Sequence, residues 1–193
     1  MSTVEEKLYL SSQVRDVVEV SCLLRKSRDQ CQLGKRRRIG PMDSSSNYGH
    51  VEVVKLLLAH PDINVNSKTR NGKTPPFKWL SALPCVCGPV LLKDFRVDVT
   101  LDDGSGHTPL WWVSWDGRRE VIECLIVSGR VLGDVKNKKG KFGWNGKDYT
   151  ALEIASREKK WEVDSLLKRF VYNPARTRHE LRVKLGMLDV VAT

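Results

Sequence analysis

The chain lacks any long apolar run. Nothing in its 193 residues approaches the ~18 that a membrane span needs, so no membrane association is expected. Met1 to Lys7 carries two glutamates and no apolar segment, which speaks against a secretory signal. Cysteine is sparse and unpaired in pattern: five residues, at 22, 31, 85, 87 and 124, an odd number with no regular spacing. Cys85-x-Cys87 is not a zinc spacing and has no histidine near it in sequence. Reduced thiols in an intracellular protein, cytoplasmic or nuclear, are the expectation, with a single redox-active cysteine as the sharper alternative. The four histidines, His50, His60, His107 and His179, fall in no catalytic spacing with a serine or cysteine. Gly140-x-x-Gly143-x-x-Gly146 lacks a preceding strand and a following Lys-Ser/Thr pair, so it reads as a flexible hairpin tip and not a phosphate loop. The sequence therefore offers no catalytic residue, no cofactor site and no metal site, and the expectation is a protein that is not an enzyme.

What the chain does contain is a period. Pro41, Pro75 and Pro109 are spaced by 34 residues, and eight residues after each lies one slot, occupied by Gly49, Leu83 and Gly117. A fixed period in this range points to stacked repeats. Stepping back by 34 from Pro41 reaches Lys7, and the slots of Leu57 and Leu58 then hold Leu23 and Leu24. Forward of Pro109 the next match is Thr150-Ala151-Leu152-Glu153-Ile154-Ala155, at a step of 42, which assigns the surplus to an insertion over Lys138 to Lys147. Five units result, anchored at 7, 41, 75, 109 and 151.

Each unit spells two short helices and a connection. Thr108 suits an N-cap, Pro109 the first helical position, and Gly117 a left-handed helix end. Val121, Ile122, Leu125 and Ile126 then form one apolar stripe at helical period. Val53, Val54, Leu57 and Leu58 repeat it, and Val163, Leu166, Leu167 and Phe170 form a similar one. The stretches Asp62-Ile63-Asn64-Val65-Asn66 and Val97-Asp98-Val99-Thr100-Leu101 alternate β-branched and polar residues and run to Asn71-Gly72 and Asp103-Gly104. That is the chemistry of hairpin fingers.

These residues resemble ankyrin repeats, whose Thr-Pro-Leu-His-x-Ala signature recurs at a similar period. The strongest unit is Gly106-His107-Thr108-Pro109-Leu110 through Ile126, followed by Gly49-His50 through Asn66. The Trp pair and Lys-rich insertion of the former look like ankyrin proteins that occur in multi-copy families. The resemblance covers most of residues 5–172. It implies an all-α solenoid of helix-turn-helix units with hairpin fingers over 1–172, with units starting near 5, 39, 73, 107 and 149. It also implies a non-catalytic interaction scaffold that binds another protein through its concave face and fingers. The oligomeric expectation is a monomer.

The departures are specific. The motif's histidine slot holds Asp43, Phe77, Trp111 and Glu153. Gly40-Pro41-Met42 replaces Thr-Pro-Leu, and Ser45-Ser46 stand where two buried alanines are expected. In the third unit Trp79 and Leu80 fill the same small-residue slots, which tolerate bulk poorly. Pro84, Gly88 and Pro89 then fall at the inter-helix turn and in the second helix, where an interior proline costs about 3 kcal/mol. A broken or displaced helix around 84–92 is expected, in a soft unit or a degenerated one.

Two surfaces are candidates for binding. Trp111 should lean toward the neighbouring unit, while Trp112 and Trp115 should face the groove and anchor a partner, with Asp116, Asp102 and Asp103 beside them; core packing of all three tryptophans is the plain alternative. The net charge of +10 concentrates in Lys35-Arg36-Arg37-Arg38 and in Lys136, Lys138, Lys139, Lys141 and Lys147. These fingers could draw a nucleic acid or other polyanion, the run at 35–38 could be a nuclear-import tag, and both could be solvated loops. Finally, Asn173-Pro174 should break the chain after Phe170. Thr177 and Glu180 should form the capping box of a C-terminal helix whose stripe is Leu181, Leu185 and Leu188. Over 173–193 that helix should either cap the last repeat or bind a partner.

Overall fold

The computed structural model describes residues 4–27, 41–42, 45, 48–61, 63–69, 72, 92–130, 134–137, 139–142 and 147–187. The expectations for the run at 35–38, for Pro75 through Pro89 and for Lys138 lie outside these residues, as do Cys31, Cys85, Cys87 and Leu188. The chain forms two compact units, Met1–Gly104 and Ser105–Thr193.

In the first unit, helix α1 (Val4–Gln13) packs on α2 (Val17–Ser27), and α2 packs on α3 (Val51–Leu58). Residues 41, 42 and 45 are helical and precede α3. The core is the apolar stripe of each helix: Leu8, Val20, Leu23 and Leu24, then Met42, Val53, Val54 and Leu57. The period step that matched Leu23 and Leu24 to Leu57 and Leu58 is thus seen in burial, although Leu58 itself is only half-buried.

In the second unit, α4 (Pro109–Asp116) and α5 (Arg119–Val127) form one pair. A short helix α6 (Asp134–Asn137) and strands β1 (Gly140–Phe142) and β2 (Lys147–Tyr149) occupy the insertion. Helices α7 (Ala151–Arg157) and α8 (Trp161–Tyr172) form the next pair, and α9 (Pro174–Lys184) follows. The caps of α4 follow the sequence closely. Thr108 accepts from the Trp111 N–H at 3.2 Å, Pro109 opens the helix, and Gly117 closes it at φ +77°. Helix α7 is started by a reciprocal capping box: the Glu153 N–H donates to Thr150 Oγ1 and the Thr150 N–H to Glu153 Oε2.

One backbone feature recurs among the described residues. Eight positions after the anchors at 7, 41, 109 and 151 the residue is left-handed: Arg15 at +61°, Gly49 at +70°, Gly117 at +77° and Lys159 at +56°. The N–H that follows it donates to the residue five positions back in every case, Asp16 to Ser11, His50 to Ser45, Arg118 to Val113 and Lys160 to Ala155, at 2.9–3.0 Å. The accepting residues are small or tightly buried: Ser45 and Ala155 at 0% and Val113 at 1% exposure. Trp79 occupies the same slot in the sequence of the third unit. Ser45 is tolerated in that apolar position because its hydroxyl donates to the carbonyls of Pro41 and Met42. A left-handed non-glycine residue costs roughly 1 kcal/mol. Lys159 is exposed, so Lys159→Gly should stabilise the protein by about 1 kcal/mol in urea unfolding; an unchanged or lower midpoint would refute this.

The fingers are held by turns: residues 63–69 and 97–104 carry turns and irregular backbone, with no strands. Side chains replace the ladder. Asn66 Nδ2 donates to the Arg96 carbonyl at 2.7 Å, and the Asp98 N–H donates to Asn66 Oδ1 at 2.9 Å, so one amide imitates a strand's two bonds. Asn64 and Asp98, one period apart, each accept from the N–H two residues on. These local Asx bonds hold the chain in turns and compete with strand pairing. Among the described residues, the ladder that does form is in the insertion, where Gly140, Lys141 and Phe142 pair antiparallel with Tyr149, Asp148 and Lys147. Gly140 is therefore a strand residue and not part of a tip.

The C-terminal helix in part corrects its sequence reading. Helix α8 runs on to Tyr172 and the break falls at Asn173: this non-helical residue at φ −143° ends α8 and also caps α9, its side chain accepting from the Arg176 N–H at 3.0 Å. Pro174 then takes the first helical position, which needs no donor. Thr177 lies inside the helix, where its hydroxyl donates to the Arg169 carbonyl at the end of α8, and Glu180 pairs with Arg176. Leu181 is buried, whereas Leu185 is the exposed residue that ends the helix.

Candidate functional site

Four aromatic rings cluster where α4 meets its preceding connection. His107 is buried, with its ring centroid 4.2 Å from that of Trp111 and 5.3 Å from that of Trp112. Its Nε2 donates to the Lys141 carbonyl at 2.8 Å. A Cβ on Gly140 would strike the His107 ring, so the glycine is there for space. His107 thus ties the insertion hairpin to the start of α4.

The three tryptophans divide by helical position. Trp111 is 3% exposed and donates from Nε1 to the Tyr149 carbonyl at 2.8 Å, so it leans onto the unit that follows it in sequence. It belongs to the core, not to a surface. Trp112 and Trp115 are half-buried and meet edge to face, with centroids 5.1 Å apart at 76°. Each presents part of an indole to solvent on a helix held rigid at both ends. Asp116 follows them and is exposed.

The two aspartate candidates that precede Gly104 lie in the first unit. Asp102 is half-buried, with Lys68 Nζ at 3.7 Å from its carboxylate and hydrogen-bonded to its carbonyl. Asp103 is 7% exposed, and a Cβ on Gly72 would lie 3.0 Å from its carbonyl carbon, so its place is in the packing of the two fingers and not on their surface. The basic residues of the insertion that are described, Lys136, Lys139, Lys141 and Lys147, are all exposed. Cys22 on α2 and Cys124 on α5 are not in disulfides. Among the described residues no group of histidine, cysteine and carboxylate side chains could hold a metal, and no helix is long and apolar enough to cross a membrane.

Two arrangements carried no sequence signal. Arg96 sits beside the end of α3, where its guanidinium donates to the carbonyls of Leu58, His60 and Pro61 and grips both oxygens of Asp94. Hydrogen bonding to Asp94 raises the Arg96 pKa further above its ordinary value, despite burial that opposes it. In the second unit Glu123 of α5 is covered by α9. Lys184 Nζ lies 2.8 Å from both of its oxygens, Arg119 Nε reaches it at 2.9 Å, and Arg178 Nε donates to the Ile126 carbonyl.

Burial alone would raise the Glu123 pKa, but the hydrogen bonds from Lys184 and Arg119 outweigh it and leave the carboxyl below its usual range. A depressed folded value means that this group stabilises the fold fully above the unfolded carboxylate range, about 4.3, and stops doing so as pH falls through the folded value. The protection of the α9 amides, taken relative to their intrinsic exchange rates, should therefore fall in acid below about pH 4 in the wild type and lose that step in Glu123→Gln. Retention of the full step in the variant would remove Glu123 as its source.

Comparison with known proteins agrees with the periodicity. A family profile described as ankyrin repeats, in three copies, matches residues 42–139. A protein of Escherichia coli (strain K12) named as an ankyrin repeat protein, YahD, is 35% identical over 88 residues. That match takes in 42% of this chain and 42% of the bacterial protein, so it spans less than half the length of either.

Proposed function

Because the chain belongs to the ankyrin-repeat family, whose members are in general protein-interaction modules, we propose that it is a binding scaffold that holds a partner protein against the exposed parts of Trp112 and Trp115. The observation that carries this reading is the edge-to-face indole pair on α4. Its rings are packed firmly enough to be preorganised and open enough to be covered. Aromatic side chains of this kind supply large contact area with little entropy left to lose, and they dominate many interfaces. Asp116 beside them gives the patch a polar rim. Asp102, on its own finger, is a further contact that the family's finger-mediated mode of binding suggests. Chemistry on substrates forms no part of this reading.

The test compares wild type with Trp112→Ala, Trp115→Ala in pull-downs matched for folded protein by circular dichroism. Recovery of a partner is expected to fall by tenfold or more with the double variant. Equal recovery from both would remove the indole pair from the interface.

A second reading is favoured by one observation: Lys136, Lys139, Lys141 and Lys147 are all exposed along the insertion. Together with Lys35, Arg36, Arg37, Arg38 and Lys138 they could hold a polyanion such as a nucleic acid. In that case retention on heparin would collapse with added salt, because counterion release drives such binding. Retention unchanged at high salt would discard it.

A further inference from the structure

The second unit has a surface that neither reading uses. Helices α5 and α8 lie side by side, and α9 packs against both. Helix α9 is a poor candidate for docking by apolar contact: only Thr177 and Leu181 are buried along it. Its hold is polar, through Lys184 to Glu123, Arg178 to the Ile126 carbonyl and Thr177 to the Arg169 carbonyl. The seam between α5 and α8 is therefore a groove that already accepts a peptide segment, in this case one of the chain's own helices.

Arg119, which pairs with Glu123, also lines a cleft of about 300 Å³ together with Trp161, Glu162, Ser165, Leu166 and Arg169. Trp161 opens α8 and is 64% exposed, a large indole left in water at the cleft wall. Leu166 gives the cleft an apolar floor, and Arg119 and Arg169 bring guanidinium groups to it. The surroundings carry a small excess of the same sign. Helices α5, α8 and α9 contribute Arg119, Lys168, Arg169, Arg176, Arg178, Arg182 and Lys184 against Glu120, Glu123, Glu162, Asp164 and Glu180; Glu123 is paired with Lys184 and Arg119, Asp164 with Lys168, and Glu180 with Arg176 and, at 4.0 Å, Arg169. Glu162 is the one acid in the cleft. It is 75% exposed and stands 3.5 Å from Arg119, where it holds the position an incoming carboxylate would take.

We propose that the Arg119–Trp161–Arg169 cleft docks an acidic peptide segment of a partner protein, with an apolar side chain of that segment laid against the Trp161 indole. The carboxylates meet Arg169 and Arg119, displacing Glu162 toward solvent. Charge complementarity selects the acid, and the indole selects the apolar residue. The site is on the second helices of its units and is independent of the Trp112–Trp115 pair on α4.

The probe is a fluorescein-labelled dodecapeptide of glutamates with two central phenylalanines, titrated with the full chain and followed by anisotropy. Polyglutamate of equal length and heparin serve as comparators. The phenylalanine peptide is expected to bind more tightly than polyglutamate. Trp161→Ala and Arg169→Ala should each weaken it by about fivefold, the size of one partly exposed contact. Glu162→Gln should tighten it, because it removes the competing carboxylate. Trp112→Ala, Trp115→Ala should leave it unchanged, which separates this site from the interface proposed above. Trp161 and Arg169 are exposed, and a thermal melt within about 2 °C of wild type confirms that their variants fold. The proposal is overturned if wild type does not bind the phenylalanine peptide, or if polyglutamate binds as well. It is equally overturned if the two weakening variants are silent or if Glu162→Gln fails to tighten binding. Loss of heparin binding in the same variants, without loss of the peptide, would assign the cleft to polyanions and also overturn it.

Discussion

Replacing Trp111 with alanine is expected to destabilise the unit Ser105–Thr193 by about 3–5 kcal/mol. The side chain is 3% exposed, so truncation removes an entire buried indole and leaves a cavity between α4 and α7. Three further losses add to it. The Tyr149 carbonyl gives up its hydrogen bond at 2.8 Å, the His107 ring gives up its neighbour at 4.2 Å, and Trp112 and Trp115 lose a ring that braces both. In a stacked array a contact between successive helix pairs also sets their coupling, so damage here separates two pairs instead of softening one. Urea unfolding followed by far-ultraviolet circular dichroism should show a lowered midpoint, and it should show α7 and α8 melting apart from α4 and α5 in hydrogen exchange. A loss below about 1 kcal/mol would mean that Trp111 is not the joint described here. Trp111→Phe, which keeps most of the volume but not the Nε1 donor, should recover more than half of the loss.

The second large effect is expected at Arg96, in the other unit. Its guanidinium serves three carbonyls at and beyond the end of α3 and two oxygens of Asp94 at once. The last carbonyls of a helix have no partner of their own, and a cation beside them also meets the negative end of the helix dipole. Arg96→Ala should cost about 2–3 kcal/mol, given that hydrogen bonds to a charged group are worth about 1.5–3 kcal/mol and the site is part-exposed. The sharper comparison is Arg96→Lys. An ammonium keeps the charge but cannot span the fork of acceptors, so it should recover less than half of the loss. Amides of residues 57–63 should exchange faster in both variants. Full rescue by lysine would show that charge, and not planar geometry, holds the end of α3.

Much of this architecture is written in local chemistry. Thr108, Pro109 and Gly117 specify a helix by its two ends, and the stripes beginning at Val53, Val121 and Val163 are buried where their spacing places them, with Leu58 alone half-buried. What escaped the sequence escaped for physical reasons. The left-handed slot is marked by glycine in two units, but Arg15 and Lys159 occupy it against their own preference, held by the backbone bonds around it. The fingers have the composition of strands, yet Asn64, Asn66 and Asp98 spend their side chains on the backbone and keep it in turns. Thr177 and Glu180 have the spacing of a capping box, but the true cap is Asn173, because proline at 174 suits the first helical position as well as it suits a break. At the candidate site, helical spacing separated Trp111 from Trp112 and Trp115. Asp103 looked like surface because it precedes a glycine, and its burial depends on the approach of Gly72, which no local pattern announces. Glu123 gave no sign at all, since its partner Lys184 is 61 residues away.

That glutamate has a meaning that comes from its place in the period. Glu123 lies two periods of 34 after Lys55, so both occupy one slot on the second helix. Lys55 is half in solvent and pairs with a neighbour on its own helix, as a surface residue does. At Glu123 the sign is reversed and the slot is closed over by Lys184. The slot acts as an address label: a helix that ends in Lys184 is attracted to the unit carrying a carboxylate there and repelled by one carrying an ammonium. Exchanging the two residues, with Glu123→Lys and Lys55→Glu, would leave α9 without its address on α5.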